Sequence, residues 1–255
     1  MKIRDLILKP VKYYTKGKVY FNDSYYLEAQ KITLHESSKS LVRTDVINYL
    51  LSLKQKETYY LEVGVNIPEN NFIKIKANKK YGVEPGEMFK SNPYIDFKLT
   101  SDNFFLKLAN NEVLSSEIKF DVIFIDGLHL AEQVDRDITN AIKYIKDDGF
   151  IVLHDCNPPT EWHARECDTY YHTPANRTWN GTTWKAFLKW RCNPMVNSCC
   201  IDSDWGIGIL SKKHQIGENL ESVNPFFEFR NFADNRKEYL NLIDFETLKN
   251  ILKKD

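Results

Sequence analysis

Short apolar runs alternate with amphipathic segments in the middle of the chain. Residues 120–126 (FDVIFID) and 150–155 (FIVLHD) are almost continuously apolar, which is typical of strands buried on both faces of a parallel sheet. Between them, apolar residues recur at helical spacing and predict a helix that ends at the DDG of 147–149. Its apolar stripe consists of Val134, Ile138, Ala141, Ile142 and Ile145. A strand–helix–strand unit of this kind indicates a parallel α/β sheet.

The same alternation extends towards the N-terminus. Short strands are predicted at 59–65, 80–84 and 94–100. A helix is predicted at 68–78, with a proline in its first turn, and another is predicted to follow a cap at Asp102. We therefore expect an α/β fold with a doubly wound, right-handed, Rossmann-like sheet.

Other patterns flank this region. A helix at 38–53 leads into the first strand, and a capped helix is predicted for the tail at 244–255. Residues 196–202 (VNSCCID) and 205–211 (WGIGILS) are separated by little more than a turn, so they are predicted to form an antiparallel pair. Residues 156–194 are rich in aromatic residues and lack sustained periodicity, which predicts an insertion over the sheet edge.

The length of 255 residues suits one α/β domain with elaborations. We expect residues 1–255 to form that single domain. Its parts are an N-terminal helical extension (1–55), a core (56–211) that contains the insertion, and a C-terminal extension (212–255).

Composition excludes several classes of protein. Lys and Arg together number 35, as do Asp and Glu, so the basic footprint of a nucleic-acid-binding protein is absent. No apolar stretch approaches the roughly 20 residues of a membrane span, and we expect neither a transmembrane segment nor a signal peptide. The five cysteines form no C-x-x-C pair, which favours a reducing compartment, the cytoplasm. The basic, mildly amphipathic N-terminus is expected to pack or fray as a terminal helix, with attachment to a membrane surface as the alternative.

Two acids and two histidines follow the two most apolar strands. Asp126 and His129 come at the end of one strand, and His154 and Asp155 at the end of the next. Ligands of open α/β sheets bind beyond the carboxyl ends of the strands, so these four residues are candidates for catalysis. His129 is the preferred general base, because imidazole titrates near neutral pH. The alternative is that His129 caps a helix and His154 is a structural histidine.

Two earlier strands end in residues suited to a nucleoside. Glu62 and Gly64 lie at the first strand-to-helix turn, where a glycine allows close approach of a ligand. Glu84 ends the second strand, about twenty residues later, where an acid can bind both ribose hydroxyls. The full G-x-G-x-x-G motif is absent, which argues against a nicotinamide-binding enzyme.

The order of these segments resembles a known family. The motifs are YLEVGV, YGVEPG, TSDNFF, FDVIFIDGLHLAEQVDRDI and GFIVLHDCNPPTEW. Over roughly residues 59–211 they resemble the class I S-adenosylmethionine-dependent methyltransferases, and in particular a bacterial branch similar to macrolide and sugar O-methyltransferases. The resemblance implies a seven-stranded sheet whose last strand is antiparallel.

The resemblance also implies how S-adenosylmethionine would bind. Glu62 and Gly64 would line its methionine end, and Glu84 would hold the ribose. Residues near the adenine would be Ser101, Asp102 and Asn103. Asp126 would lie beside the transferable methyl group.

A metal ion is a further implication of the resemblance. Related catechol-type enzymes hold Mg²⁺ with acids at the ends of these strands and an asparagine after the second acid. Here the corresponding acids are Asp126 and Asp155, and Cys156 stands where the asparagine would be. Cysteine is a poor ligand for Mg²⁺, so Asn157 is the candidate substitute. We therefore expect S-adenosylmethionine as cofactor, with Mg²⁺ as a possible second one.

The insertion suggests the acceptor. It combines flat aromatic faces with amides and hydroxyls, which suits the CH faces and hydroxyl edges of a sugar. Its aromatic residues include Trp162, Trp179, Trp184, Tyr170 and Tyr171. Trp184 is also interpreted as packing a helix onto the sheet. The leading hypothesis is an O-methyltransferase that acts on a saccharide, such as a polysaccharide precursor, or a glycosylated small molecule, and that can form a homo-oligomer.

Three alternatives remain at this stage. The first is a cofactor-binding module without catalysis, suggested by the incomplete glycine turn. The second is a metal-dependent glycosyltransferase, suggested by the D-x-D motif at Asp202-Ser203-Asp204. The third is a zinc site, although the spacing matches no familiar structural zinc motif. Its candidate ligands are His154, Cys156, His163, Cys167 and His172.

Overall fold

The computed structural model describes residues 3–86 and 93–254, and a mixed seven-stranded sheet runs through them. In chain order the strands are β1 (Tyr59–Val63), β2 (Lys79–Val83), β3 (Phe120–Ile125), β4 (Ile145–Leu153), β5 (Asn197–Ile201), β6 (Ile207–Ser211) and β7 (Leu242–Ile243). Their order across the sheet is β2-β1-β3-β4-β6-β5-β7. β6 runs antiparallel to both of its neighbours, β4 and β5, whereas the other pairs are parallel. The predicted α/β fold and the antiparallel pair near 196–211 are confirmed.

Helices cover both faces of this sheet. They are α1 (Ile3–Phe21), α2 (Ser24–Ser37), α3 (Arg43–Ser52), α4 (Ser101–Ala109), α5 (Ala131–Tyr144), α6 (Thr183–Arg191), α7 (Phe229–Asp234), α8 (Arg236–Tyr239) and α9 (Phe245–Leu252). The first three form the predicted N-terminal helical extension. The predicted capped helix at the C-terminus is α9, whose Asp244 side chain accepts from the Thr247 amide at 2.7 Å.

The apolar core is divided between the two faces because neighbouring strand residues point in opposite directions. Ile123 and Ile125 of β3 belong to the cluster formed with α4, α5 and α6. Val122 and Phe124 belong to the cluster formed with α3 and α9. Burial of each large apolar side chain contributes about 1.5–3 kcal/mol, so a strand that is apolar throughout is stabilised only between two helical layers.

The strand predicted at 94–100 is wrong. Only Phe97 makes an isolated parallel bridge, with Val83 at the end of β2. The Asp96 carboxylate accepts from the Gly82 amide at 2.8 Å, so a side chain takes a donor that a strand ladder would use. The seventh strand is instead the two-residue β7, which pairs parallel with β5 at the opposite edge.

The helix predicted at 68–78 is also wrong. Two single 3-10 turns, Pro68–Asn70 and Phe72–Lys74, flank Asn71, whose backbone is not helical (φ −142°). The Asn71 side chain is buried. It donates hydrogen bonds to the Tyr60 hydroxyl and to the Glu62 carboxylate. Tertiary hydrogen bonds therefore override the local helical pattern.

Several boundaries differ by a few residues. Ile145, predicted as the last member of the α5 stripe, begins β4, and the DDG at 147–149 lies inside that strand. Gly149 fits there because a Cβ atom would crowd the Ile145 side chain and the Asp121 carbonyl. The helix predicted at 38–53 begins only at Arg43. The cap of α4 is Thr100 and not Asp102.

The N-terminal helix is continuous, and from Lys9 onwards it makes little contact with the rest of the protein. We expected it to pack or fray, whereas α1 is continuous from Ile3 to Phe21, and its side chains from Lys9 onwards are exposed, except at the half-buried Gly17. None of the helices in the described residues combines the length and apolar character needed to cross a membrane.

The corrected cap of α4 can be tested by substitution. Thr100 Oγ1 accepts from the Asn103 amide at 3.3 Å, whereas the exposed Asp102 pairs with Arg136 at 3.5 Å. We expect Thr100→Ala to lower the free energy of unfolding in urea by about 1 kcal/mol. Asp102→Ala should cost about half of that or less, because exposed ion pairs contribute little. A larger loss from Asp102→Ala would assign the cap to Asp102 after all.

Candidate active site

The carboxyl ends of four parallel strands lie side by side and form one edge. The Gly64 amide donates to the Val83 carbonyl at 2.9 Å, which joins the ends of β1 and β2. The Asp126 amide donates to the Val63 carbonyl at 2.9 Å, and the His154 amide donates to the Ile125 carbonyl at 3.2 Å. The residues that follow β1, β2, β3 and β4 are therefore neighbours, as a parallel sheet requires.

Two carboxylates and two imidazoles form a closed group at this edge. Asp126 Oδ1 lies 3.3 Å from His129 Nε2 and 3.2 Å from His154 Nδ1. Asp155 Oδ2 lies 3.1 Å from His129 Nδ1 and 3.2 Å from His154 Nδ1. All four side chains are at most 19% exposed. The structure thus brings together the four residues that the sequence analysis named as catalytic candidates.

The insertion fixes the position of His129. The Thr182 amide donates to the His129 carbonyl at 2.8 Å, and the Thr182 hydroxyl accepts from the Ala131 amide at the start of α5 at 2.8 Å. The His129 ring stacks on Trp179 with 5.3 Å between centroids, and its Nδ1 lies 3.0 Å from the Trp179 carbonyl. Gly181 has φ +60°, and a Cβ atom there would occupy the space of the His129 carbonyl oxygen.

Asp155 has an unusual backbone conformation that turns the chain sharply after β4. Its φ is +61°, which is uncommon for a residue other than glycine. Directly after it, the amides of Cys156 and Asn157 donate to the carbonyls of Gly206 and Trp205 at 3.0 and 2.9 Å. These two hydrogen bonds attach the start of the insertion to the turn between β5 and β6, so the sharp turn at Asp155 is held in place.

Arg43 and Asp204 complete the group, and the sequence analysis identified neither as part of it. Arg43 Nη1 donates to Asp204 Oδ2 at 2.9 Å, and the Arg43 amide donates to the same oxygen at 2.8 Å. His154 Nε2 lies 3.1 Å from Arg43 Nη1 and 3.4 Å from Asp204 Oδ1. Arg43 Nε is 3.7 Å from Asp126 Oδ2. Three carboxylates therefore face three groups that can carry a positive charge.

These contacts shift the pKa values of the histidines upward. Burial alone would lower the pKa of His129, but Asp155 and Asp126 outweigh it and raise that pKa to about 9. Burial likewise opposes the charged form of His154, and the same two acids raise its pKa well above the usual value. Both imidazoles are consequently protonated at neutral pH, so His129 is not a free base in this state.

The pKa values of Asp126 and Asp204 shift in the opposite direction. Burial would raise the pKa of Asp126, but the charges and hydrogen bonds of His154, His129 and Arg43 hold it well below its usual range. For Asp204, burial is outweighed by His154 and Arg43, and its pKa falls to about 2. The group is thus a network of charged partners at neutral pH.

Glu62 lies below the edge and faces other polar side chains. Its carboxylate accepts from the Tyr60 hydroxyl at 2.5 Å and from Asn71 Nδ2 at 2.9 Å. Asn71 Oδ1 in turn accepts from the Thr44 hydroxyl of α3 at 2.7 Å. Burial raises the pKa of Glu62 to about 7. Its side chain therefore joins β1 to α3, and its role towards a cofactor remains a prediction.

Gly64 is required by the packing of the strand ends. Its φ is +96°, and a Cβ atom would overlap the Asp126 carbonyl group. The part of the chain closest to Gly64 is thus Asp126, which directly follows β3.

The other predicted cofactor residues lie near the same edge. The half-buried Glu84 accepts from the Gly86 amide at 3.3 Å. At the start of α4, Ser101 Oγ and Asp102 Oδ1 accept from Gln133 Nε2 of α5 at 3.0 and 3.2 Å. The exposed Asn103 donates its amide to the Thr100 cap. Their contacts with S-adenosylmethionine remain predictions.

Three side chains are placed to bind a divalent ion here, namely the two expected acids and His154 in place of Asn157. Ligand atoms of Asp126, His154 and Asp155 lie within 4.8 Å of one another. Asn157 lies apart from this set, because its Nδ2 donates to Asp202 at 3.3 Å and its Oδ1 accepts from Arg236. The donor set fits a divalent ion, with an imidazole in the place expected for an amide oxygen.

The remaining candidate zinc ligands do not join this set. Within the described residues, the group of acidic, histidine or cysteine side chains close enough to hold a metal ion consists of Asp126, His154 and Asp155. His163 is fully buried against the Thr160 hydroxyl at 2.9 Å, and Cys167 is exposed. A zinc site of the kind considered above is therefore not formed in this structure.

The acids of the D-x-D motif are paired with the N-terminal extension. Asp202 accepts from Lys39 Nζ at 2.7 Å, and Asp204 holds Arg43. Ser203, between them, donates its hydroxyl to the Leu41 carbonyl at 2.6 Å. The motif thus anchors the segment between α2 and α3 onto the β5–β6 turn.

The aromatic residues of the insertion have different roles. Trp184 is buried in α6 and packs on Phe232 with 4.5 Å between ring centroids, which confirms its structural interpretation. Trp179 is the residue that contacts His129. Tyr170 and Tyr171 are 66% and 49% exposed.

Part of the chain is similar to a known protein family. Residues 77–156, which contain the elements from β2 to β4, match the model of a family described as a methyltransferase domain. Part of the chain is therefore similar to a methyltransferase domain. The predicted resemblance is thereby confirmed over the segment that holds Asp126, His129, His154 and Asp155. No curated protein matches the chain.

Solved structures with a similar chain path include several methyltransferases. An O-methyltransferase from Bacillus cereus, in complex with SAH, is 15% identical (TM-score 0.41), with 80% of this chain and 97% of that chain covered. MycE of the mycinamycin pathway, in complex with Mg, SAH and mycinamycin VI, is 13% identical (TM-score 0.42), with 82% and 59% covered. The SAH-bound methyltransferase PaMTH1 from Podospora anserina is 12% identical (TM-score 0.41), with 80% and 96% covered.

The raised pKa of His129 predicts a pH-dependent stability. Its folded pKa of about 9 exceeds the roughly 6.5 of an unfolded histidine, so its stabilising contribution is complete below about pH 6.5 and is lost as pH rises through about 9. In urea titrations with a chelator present, we expect the free energy of unfolding to fall less steeply over this range for His129→Gln than for the wild type. Parallel curves for the two proteins would contradict this expectation.

Proposed function

We propose that this protein is an S-adenosylmethionine-dependent O-methyltransferase whose acceptor is a hydroxyl group of a saccharide or a glycosylated small molecule. One observation carries the proposal. Within a methyltransferase domain, His129 lies between the carboxylates of Asp126 and Asp155 at the carboxyl edge of the sheet. Methyl transfer to oxygen needs a proton acceptor at such an edge, and imidazole is the side chain best suited to that role.

In the proposed reaction, the acceptor oxygen attacks the methyl carbon of the sulfonium group. The new C–O bond forms as the C–S bond breaks, and the electron pair of that bond returns to sulfur, which leaves S-adenosylhomocysteine. The hydroxyl proton passes to His129. Asp126 and Asp155 stabilise the resulting imidazolium, because their charges already favour the protonated ring.

Alignment supplies much of the remaining catalysis. When the acceptor is held in line with the sulfonium methyl, the reaction becomes effectively unimolecular. Much of the entropic barrier is thereby removed. The stacking of His129 on Trp179 and the contact of its carbonyl with Thr182 restrict the ring to one orientation. The base is therefore set in position before the acceptor binds.

The cofactor would lie across the ends of β1, β2 and β3. Glu84 is half-buried at the end of β2, and it is the proposed partner of the ribose hydroxyls. Ser101, Asp102 and Asn103 begin α4 and are the proposed neighbours of the adenine. Glu62 would act from below the edge, because its carboxylate is already bound by Tyr60 and Asn71.

Asp126, His154 and Asp155 are the proposed holders of a divalent ion, if the enzyme uses one. When bound, such an ion would orient the acceptor oxygen and polarise its O–H bond. Mg²⁺ is the ion implied by the family resemblance, whereas the imidazole of His154 favours ions that accept nitrogen ligands.

The saccharide acceptor is supported by the insertion. Trp179 presents an aromatic ring next to His129, and Tyr170 and Tyr171 are exposed on the same segment. Aromatic faces of this kind bind the CH faces of sugars. All five cysteines are free, which is consistent with the proposed cytoplasmic location of a single-domain enzyme.

Cofactor binding is the first test. We expect calorimetry to detect binding of S-adenosylmethionine and S-adenosylhomocysteine, and Glu84→Ala to weaken it by about 1.5–3 kcal/mol, the scale for lost hydrogen bonds to a charged group. Glu117→Ala, which removes an exposed acid elsewhere, is the matched control and should bind like the wild type. Absence of binding by the wild type would refute the proposed function. Binding without turnover over a broad panel of glycosides would favour the catalytically inactive module.

His129 is tested by activity. We expect His129→Ala to lower kcat by about 10²–10⁴-fold, the range for a positioned base, with little change in cofactor affinity. Because only neutral imidazole accepts a proton, the wild-type rate should rise with pH up to about 9. His35→Ala, at an exposed histidine of α2, serves as the control and should remain active. If His154→Ala is inactive while His129→Ala turns over normally, the base is His154 and not His129.

A further inference from the structure

The helix α1 exposes an unusual number of large apolar side chains. Five of them are more than half exposed, namely Val11 at 58%, Tyr13 at 66%, Tyr14 at 73%, Val19 at 70% and Phe21 at 58%. Surface apolar residues are normally scattered singly, and a cluster on one element indicates an interaction site.

The same helix is strongly basic. Between Leu6 and Asn22 the chain has four lysines and no acidic residue, although the whole protein has a formal net charge of zero. At 3.6 residues per turn, Lys9, Lys12 and Lys16 fall on one side of the helix. Tyr13 and Val19 fall on the same side as these lysines. This side of the helix therefore combines positive charge with exposed apolar side chains.

Such a helix needs a partner. From Lys9 to Phe21 the residues of α1 are exposed, except at Gly17, so this part of the helix gains little from the tertiary packing that supplies most helical stability in proteins. A second copy of α1 would bring lysines close to lysines without acids to neutralise them. An anionic phospholipid surface supplies both the negative charge and an apolar layer for the aromatic rings.

The base of this helix is firmly joined to the insertion. The Tyr20 hydroxyl donates to the His172 carbonyl at 2.7 Å, and the Tyr25 hydroxyl of α2 donates to Glu161 at 3.3 Å. The Tyr20 ring also packs on Tyr26 with 4.8 Å between centroids. Whatever α1 binds therefore lies beside residues 156–194.

We propose that α1 docks the protein on a membrane surface that contains anionic phospholipid, with the side that carries Lys9, Lys12, Lys16, Tyr13 and Val19 against the lipid headgroups. This proposal goes beyond the methyltransferase activity and does not depend on it. It concerns surface attachment, since the helix is not apolar enough to span a membrane.

The test is co-sedimentation with vesicles of phosphatidylcholine alone and of phosphatidylcholine mixed with phosphatidylglycerol. We expect the full-length protein to bind the mixed vesicles and to be released by high salt, because screening weakens surface charge interactions. Replacing Lys9, Lys12, Lys16 and Lys18 together by Glu should reduce binding by at least about tenfold. The double variant Tyr13→Ala/Tyr14→Ala should also bind less, since it loses aromatic surface.

The control carries the same change of charge elsewhere. Lys56, Lys74, Lys76 and Lys237 are exposed on other elements, and their joint replacement by Glu should leave binding close to that of the wild type. Circular dichroism of each variant confirms that it is folded. Equal binding to neutral vesicles, no binding to mixed vesicles, or equal loss in the control would each overturn the proposal. A dimer that depends on Tyr13 and Tyr14, seen by light scattering without vesicle binding, would assign α1 to self-association instead.

Discussion

The arrangement of the candidate active site depends on one guanidinium group. Arg43, at the first turn of α3, is held by Asp204 and lies against His154 and Asp126. It thereby joins the N-terminal extension, the turn between β5 and β6 and the ends of β3 and β4. Without this cation, three buried carboxylates would have only the two imidazoles as partners, and a buried, unpaired charge is costly. The extension is therefore a part of the site and not an appendage to the sheet.

The interior of the fold was predictable where burial alone decides the structure. β3, β4 and the helix between them were evident because strands covered on both faces must be apolar throughout. The failures at 68–78 and 94–100 have a common cause. The Asn71 side chain donates to the Tyr60 hydroxyl, and the Asp96 carboxylate accepts from the Gly82 amide. No local sequence pattern reveals such partners.

The candidate site was predictable for a similar reason, and only in part. Asp126, His129, His154 and Asp155 follow strands that were recognisable, so the topology brought them together. Arg43 lies 111 residues from His154 in the sequence, on a helix with no distinctive motif. Asp204 was noticed only as half of a D-x-D motif, and its ion pair with Arg43 could not be inferred. The raised pKa of His129 also depends on distances that only the folded chain sets.

The tight contact between Gly181 and His129 has a consequence for changing the acceptor specificity by engineering. The insertion closes on itself where the carbonyl of His163 accepts from the amides of Asn180 and Gly181, and next to this point the Thr182 amide donates to the His129 carbonyl at the sheet edge. The stretch between these attachments, about residues 166–177, carries the exposed tyrosines. An exchange of this stretch alone would alter the surface presented to an acceptor while the proposed base keeps its position. The insertion thus behaves as a replaceable module with fixed ends.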